Sequence, residues 1–285
     1  MNEVFDLLRV QPKYVNVNGA TGGSFYGNSG TRYVFPANCF QDAAGNPVTG
    51  TVQVEVTEYL KKGDMVFSKM LPVSDSGDLI SAGEIRVDGT VGGAKVYIRP
   101  GMSFTAYVPQ SGKVSSEIQY FSGTTPSDTS VSSVSWRSLA SSGMNRAMIF
   151  VKDTTKNRVD TMAFVCDSMK RINGDQYKYG SNSQTFNVNI AVTGATINSG
   201  SDLRSYIFVD SVKSITDIGY NPHATTFSNV HFDKMDIHLV AYGLINNKFY
   251  GGVFATKPTS GSTYTVTLVE VSPTAFKGQL NNLTQ

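Results

Sequence analysis

The stretch that decides the fold is TRYVFPANCFQDAAGNPVTGTVQVEVTEYL, residues 31–60. In its second half Val52, Val54 and Val56 alternate with polar residues. A period of two indicates a strand with one buried face and one solvated face. Just before this strand, Asn46 and Pro47 lie between two glycines and predict a tight reversal of the chain. The stretch therefore predicts short strands joined by turns.

The same pattern extends along most of the chain. Short apolar-polar alternations separated by glycine or proline continue to Pro109, and they return in the last hundred residues at Phe186, Val188, Ile190 and Val192. Several short strands at this spacing favour a sandwich over a βαβ fold. The fold class predicted is all-β, with tandem β-sandwich domains of an Ig-like or jelly-roll-like kind.

Each end of the sequence predicts a short helix. Residues 2–9 form a helix capped by Asn2, and its apolar residues Val4, Phe5 and Leu8 share a face. Near the other end, Ser272 and Pro273 are an N-cap and a first helical residue, followed by the apolar stripe Phe276, Leu280 and Leu283. Helices this short must dock on something. We expect neighbouring subunits to bury them.

A segment without apolar periodicity, GTTPSDTSVSS, divides the chain. Its composition is typical of a loop or linker. We therefore predict an N-terminal helix and contact loop at 1–30, a β-sandwich domain at 31–122, a Ser/Thr-rich linker at 123–133, and a second β-sandwich domain with its C-terminal helix at 134–285.

Composition excludes several classes of partner. Charged residues make up 16% of the chain and the net charge is +2, with no basic stripe of the kind that direct nucleic-acid binding requires. The doublet Lys61-Lys62 is interpreted as a solvated turn. No apolar run approaches the roughly 20 residues of a membrane span. The first residues lack an export signal, so we expect a chain that is kept without export or one whose signal was removed.

The two cysteines, Cys39 and Cys166, are too few for a disulfide scaffold. Two buried thiols are the simpler interpretation, and a single bridge between them remains open.

The histidines and aspartates of one segment are the candidate metal ligands. His231 and Asp233 share a face of a predicted strand, as do Asp236 and His238, and Lys234-Met235 is a plausible turn between them. Two such pairs across a hairpin could ligate a divalent metal with nitrogen and oxygen donors. Polar residues alternating outward on an antiparallel sheet are the commoner case, and we expect no metal.

No catalytic motif stands out. The sequence has no Gly-x-Ser-x-Gly elbow, and its glycine-rich stretch Thr21–Gly30 does not follow a strand and open a helix as a phosphate-binding loop does. We expect no enzymatic activity and no cofactor. A carboxylate pair for glycoside hydrolysis, drawn from Glu55, Glu58, Asp153, Asp160 and Asp167, would make the chain a carbohydrate-active enzyme.

Tyrosines are the most abundant aromatic residue after phenylalanine. Stacking surfaces for sugars or a protein hot spot could be built from Tyr26, Tyr33, Tyr59, Tyr107 and Tyr120. Core and girdle positions in a sandwich are the simpler interpretation of these five.

The stretch YVFPANCFQDAAGNPVTGTVQVEVTEY resembles a module of surface and secreted proteins from Bacteroidetes bacteria, with its Pro-Ala-Asn segment and Gly-Asn-Pro-Val turn. The run SAGEI at 81–85 and the segment RINGDQY at 171–177 are similar to later parts of that module. The family's Trp and Cys in the later segment are replaced by Arg171 and Gly174. The resemblance implies a β-sandwich scaffold and no defined reaction.

Such a module without an export signal is explained by a bacteriophage of those hosts. The expectation is a virion component that works through protein-protein contacts with other subunits, including copies of itself in a homo-oligomer. The alternative is an exported cell-surface or periplasmic protein that binds a glycan or a protein.

Overall fold

A computed structural model describes residues 1–74, 77–110, 118–124, 135–138, 148–153, 158–177, 183–210, 212–219 and 223–283. The all-β prediction is confirmed, since strands dominate and the helices of the described residues are short. The helices are α1 (Asn2–Leu8), α2 (Lys62–Phe67) and α3 (Pro273–Asn282). None of them is long and apolar enough to cross a membrane.

The strands in chain order are β1 (Lys13–Asn18), β2 (Gly23–Tyr26), β3 (Arg32–Phe35), β4 (Phe40–Gln41), β5 (Thr51–Tyr59), β6 (Val73–Ser74), β7 (Gly77–Val91), β8 (Ala94–Lys95), β9 (Tyr97–Ile98), β10 (Phe104–Pro109), β11 (Gln119–Thr124), β12 (Ser135–Ser138), β13 (Met148–Asp153), β14 (Arg158–Cys166), β15 (Arg171–Tyr177), β16 (Ser183–Val192), β17 (Asp202–Val209), β18 (Ile215–Asp217), β19 (Thr226–Asp233), β20 (Ile237–Ile245), β21 (Lys248–Thr256) and β22 (Thr263–Glu270).

The chain forms two compact units that interleave along the sequence. Unit 1 comprises Met1–Arg9, Lys61–Ile80 and Tyr177–Gln285, and unit 2 comprises Val10–Leu60 and Ser81–Gln176. This division differs from the predicted domains 31–122 and 134–285, because β14 pairs with β10 and so joins residues on both sides of the predicted linker in one sheet. Of the linker 123–133, Gly123 and Thr124 belong to β11 and the rest lies outside the described residues.

Unit 2 is a two-sheet sandwich. Its first sheet has the order β1-β5-β7-β15-β11-β12, and its second sheet has the order β13-β14-β10-β3-β2. The predicted alternation holds on β5, where Val52, Val54 and Val56 are buried. They share one core with residues of the second sheet such as Phe35 and Phe104, whose ring centroids lie 4.8 Å apart. Facing apolar sides of two sheets thus provide the hydrophobic stabilisation.

Both cysteines lie in the core of unit 2. Cys39 and Cys166 are buried and are not joined by a disulfide. Burial raises the pKa of the Cys39 thiol to about 11, because a low-dielectric environment disfavours the thiolate.

Unit 1 is built on a seven-stranded path with the order β18-β17-β20-β21-β22-β16-β19. The strand β22 pairs with β21 at only two positions, Tyr250↔Glu270 and Gly251↔Val269, and then runs parallel to β16. The path therefore turns at β22, and a single core receives side chains from both halves, such as Leu239 from β20 and Val188 from β16.

All three helices belong to unit 1 and bury their apolar residues there. Phe276 of α3 packs on Tyr242 and Phe249, with ring centroids 5.9 and 5.8 Å away. A Cβ on Gly251 of β21 would lie 2.5 Å from the Phe276 ring, so glycine permits this close approach. Lys277 of α3 donates to the Leu8 carbonyl at the end of α1 and pairs with Asp64 of α2.

The helices correct three details of the sequence interpretation. The N-cap of α1 is Met1, without a side-chain hydrogen bond, where Asn2 was predicted. The Lys61-Lys62 doublet is not a solvated turn, because Lys62 begins α2 and its side chain is fully buried. The predicted apolar face of α1 and the residues Phe276 and Leu280 of α3 are already buried within unit 1, so these faces do not need neighbouring subunits to cover them, although Leu7 of α1 is exposed. The predicted Ser272 cap of α3 is confirmed by its bond from the Ala275 amide.

Candidate interaction site

The two end strands of the unit 1 sheet line the same open cleft. The strand β18 pairs with β17, and β19 pairs with β16, so each has one strand partner among the described residues. Residues of both strands line a cleft of about 480 Å³. We call this feature the edge cleft. It lies between β18 and β19, the two strands that end the seven-stranded path.

Local sequence explains why β18 stops early. It is three residues long, and it is followed by Gly219 at φ +138°, a conformation that glycine adopts readily. The Gly219 amide donates to the Asp217 carboxylate over 2.8 Å, and the Ile218 amide donates to the Ser205 carbonyl. The Ile218 bond extends the pairing of β18 with β17 by one residue, and the ladder ends at Gly219, whose amide bonds to a side chain instead of to β17. No further strand of the described chain pairs with the outer edge of β18.

A β-bulge shapes the opposite wall. The register of β19 against β16 shifts between Phe186 and Val188, and Asn229 on the bulged strand has a φ of +56°. The Asn229 amide is satisfied by the Asn187 side chain over 3.1 Å instead of by a ladder bond. A bulge of this kind bends a strand and redirects its side chains.

The edge cleft has an apolar floor and a polar rim. Ile207, a core residue, lies at its base beside the half-buried side chains of Ile218, Phe227 and Val230. Thr216, Asp217, Ser228, Asn229 and His231 form the rim. The surrounding protein raises the pKa of the Asp217 carboxyl through desolvation, although the side chain still reaches solvent. The donation from the Gly219 amide opposes this shift.

The structure separates the four predicted metal ligands. His231 lies on the rim of the edge cleft, where its Nδ1 atom is 3.1 Å from the Thr185 hydroxyl. His238 of β20 instead bonds through its Nδ1 atom to the Asp210 carboxylate. Asp233 is half-buried at the end of β19, and the exposed Asp236 lies 4.0 Å from the Lys257 ammonium group.

The predicted hairpin is not formed, since β19 pairs with β16 whereas β20 pairs with β17 and β21. Across the described residues, no three His, Cys, Asp or Glu side chains come together in a group that could hold a metal ion.

The carboxylates considered for glycoside hydrolysis have structural partners where their side chains are described. Glu58 is 2% exposed and accepts hydrogen bonds from the amides of Ser29 and Thr31. Glu55 lies 3.8 Å from the Arg86 guanidinium. Asp167 accepts from the Ser168 hydroxyl. The side chains of Asp153 and Asp160 lie outside the described residues.

Sequence reasoning missed the edge cleft itself. The short strand β18 carries no periodic signal, and the cleft depends on which strands end the sheet. His231 was the one rim residue that the sequence analysis singled out.

The chemistry available at the edge cleft is that of strand edges. An end strand presents a row of backbone N–H and C=O groups that an additional strand can pair with. Alternate side chains of that added strand would reach the apolar floor, since successive side chains point to opposite faces. The arrangement is suited to accepting an extended polypeptide segment.

Comparison of the chain with protein-family models finds no match, and comparison with curated proteins finds no significant match.

Proposed function

We propose that the chain is a non-enzymatic structural or attachment protein, a component of a bacteriophage virion, that works through contacts with other protein subunits. The observation that carries the proposal is the edge cleft, where both end strands of one sheet face a single opening with an apolar floor. Proteins normally protect strand edges, because exposed edges pair with other chains. An edge cleft of this kind is a place where a neighbouring subunit can add a strand.

The occupant of the edge cleft is an extended segment of a second copy of the chain. Its backbone pairs with β18 or β19, and an apolar side chain fills the floor around Ile218 and Val230. The rim carries few charged groups, because Asp217 and His231 are its only ionisable side chains among the described residues. The virion assignment in this proposal comes from the sequence instead. The chain resembles a module of Bacteroidetes surface proteins, and a bacteriophage of those hosts explains that resemblance.

The first experiment blocks the edge cleft with a charge. Ser228 is exposed, lies on the rim and falls within the bulge of β19, so Ser228→Lys places an ammonium group in the path of an added strand. The matched control is Thr265→Lys, an exposed position of β22 outside the cleft lining. Sedimentation velocity of both variants and the parent chain measures self-association.

We expect the parent chain and Thr265→Lys to associate and Ser228→Lys to dissociate to smaller species. A parent chain that remains monomeric at high concentration, or a Ser228→Lys variant that associates like its control, contradicts the proposed contact. Mass spectrometry of purified phage particles tests the virion assignment separately.

The second candidate is an exported cell-surface or periplasmic binding protein. A surface of unit 2 that combines exposed tyrosines with an arginine favours it and is described below. The nucleotides upstream of the Met1 codon discriminate between the two candidates. An export signal encoded there favours the second, and a native start codon among capsid or tail genes favours the first.

A further inference from the structure

Two of the five tyrosines considered for a stacking surface reach solvent. Tyr33, Tyr59 and Tyr120 are buried, which confirms the core interpretation for them. Tyr26 is 61% exposed, and Tyr107 is partly exposed. Both lie in the second sheet of unit 2, on β2 and β10, with β3 between them.

Tyr26, Arg32 and Tyr107 form one row across three strands. The register pairs Tyr26 with Arg32 and Arg32 with Tyr107. Directly opposed residues of antiparallel strands point to the same face. That face is the outer one, because the neighbouring residues Phe25, Tyr33 and Ala106 point into the core. We call these three residues the Tyr-Arg-Tyr row.

The arginine in the middle of the row is available for a ligand. Its guanidinium carbon lies 5.8 Å from the centre of the Tyr107 ring, a cation-π contact that orients the side chain along the sheet surface. Arg32 is exposed, and no carboxylate of the described residues forms an ion pair with it. Its planar fork of donors can therefore bind an external carboxylate with two parallel hydrogen bonds.

The surroundings of the row add hydroxyl groups. Ser24 and Thr105 belong to the next register row on the same face, both opposite Val34. Adjacent strands are about 4.8 Å apart, so the row from Tyr26 to Tyr107 spans roughly 10 Å. Two aromatic faces, one cationic fork and nearby hydroxyls match a ligand that has apolar ring faces, a carboxylate and hydroxyl groups.

We propose that the Tyr-Arg-Tyr row binds a carboxylated saccharide, such as a glycan that contains uronic or sialic acid. The tyrosine rings stack on the C–H faces of the sugar, and Arg32 takes the carboxylate. A neutral sugar would leave the arginine without a partner, and an acidic peptide would offer no ring faces to the tyrosines. This site lies in unit 2 and does not depend on the assembly role proposed for unit 1.

The test is calorimetric titration of the full chain with defined probes. The carboxylated probes are an oligogalacturonate and an oligosialic acid. The comparison probes are the carboxyl-reduced oligogalacturonate and an oligoglutamate of equal charge. We expect at least one carboxylated saccharide to bind, and both comparison probes to bind at least about tenfold more weakly, because the reduced saccharide loses the charge-assisted pair with Arg32 and the oligoglutamate offers no ring faces to the tyrosines.

Substitutions within the Tyr-Arg-Tyr row test whether the saccharide binds there. Arg32→Gln should weaken binding by about tenfold or more, and Arg32→Lys should have an intermediate effect because it keeps the charge but loses the fork. Tyr107→Ala should weaken binding several-fold through the lost stacking surface. The matched control is Tyr14→Ala, which removes an exposed tyrosine from β1 and should leave the affinity unchanged. Circular dichroism verifies that each variant folds.

Three results would overturn the inference. They are the absence of binding to both carboxylated saccharides, equal binding of the oligoglutamate with the same dependence on Arg32, and an unchanged affinity in Arg32→Gln. The second result would identify the row as a site for acidic peptides.

Discussion

Unit 2 buries the carboxylate of Glu58, and unit 1 buries the ammonium group of Lys62, but the two charges have different partners. Glu58 accepts hydrogen bonds from two backbone amides, those of Ser29 and Thr31, over 2.6 and 2.9 Å. The ammonium group of Lys62 donates to the Val209 carbonyl and lies 5.6 Å from the centre of the Phe208 ring. A lysine has three N–H donors to satisfy, so Lys62 is the less well partnered of the two.

The shortage of partners for Lys62 is reflected in its pKa. Burial lowers the pKa of Lys62 from 10.5 to about 8, and the nearby Asp210 opposes this shift without cancelling it. A buried charge that has good partners connects segments of a fold, whereas one with few partners costs stability. Glu58 fastens the turn between β2 and β3 to the strand β5, and Lys62 is a stability cost within unit 1.

The largest effect should come from removing the well-partnered charge. Glu58→Ala leaves the amides of Ser29 and Thr31 without their acceptor and should destabilise unit 2 by about 3 kcal/mol. Trp136 is the only tryptophan and lies buried in unit 2, so urea unfolding followed by its fluorescence reports this unit.

The matched control for this change is on the same strand. Glu55→Gln removes a carboxylate that is 25% exposed and 3.8 Å from Arg86, which has a second partner in Asp88. Its cost should remain under about 1 kcal/mol. If Glu58→Ala cost no more than Glu55→Gln, the account of Glu58 as a fastening group would be wrong.

Replacing the poorly partnered charge of Lys62 should increase stability instead of lowering it. Lys62→Met retains a long apolar side chain and removes the buried ammonium group, so we expect unit 1 to gain about 2 kcal/mol at pH 7. Lys61→Met is the matched control, because Lys61 is exposed and adjacent in sequence. Urea unfolding followed by far-UV circular dichroism measures both variants, with Trp136 fluorescence marking the contribution of unit 2.

The stability gained in Lys62→Met should decrease as the pH rises. Because the folded pKa of Lys62, about 8, lies below the value of 10.5 for an unperturbed lysine, the unfolded chain binds more protons between these values. The penalty is complete below pH 8 and disappears as the pH rises through this window. The difference between Lys62→Met and the parent chain should therefore shrink between pH 7 and pH 10. A constant difference would refute the assignment to Lys62.

The sequence predicted well those parts of the fold that have a local signal. The alternating valines of β5 gave the correct buried face, and Ser272 with Pro273 marked the start of α3. In each case the signal lies within a few consecutive residues. It needs no knowledge of which strand lies beside which.

Features that depend on distant partners could not be predicted in this way. The helix α2 has six residues, no side-chain cap and a glycine at its second position, Gly63. A Cβ at Gly63 would lie 2.8 Å from the Lys277 carbonyl, so the glycine serves the packing of α3 against α2. The edge cleft depends on the order of seven strands, including a parallel pair far apart in sequence. Polar residues such as His231 were visible, but their neighbours were not.

The smallest expected change in stability comes from a second lysine of unit 1, Lys277, which can be compared with Lys62. Lys277 differs from Lys62 in having two good partners, the Asp64 carboxylate at 2.8 Å and the Leu8 carbonyl at 2.7 Å, with a side chain that is 19% exposed. Lys277→Met should therefore destabilise unit 1 by about 1 kcal/mol, since Asp64 keeps only its contact with Asn281. The same circular dichroism experiment measures it. Two buried or half-buried lysines of one unit, replaced by the same residue, should thus shift stability in opposite directions. If both shifts had the same sign, the number of partners would not be what decides the effect of a buried charge here.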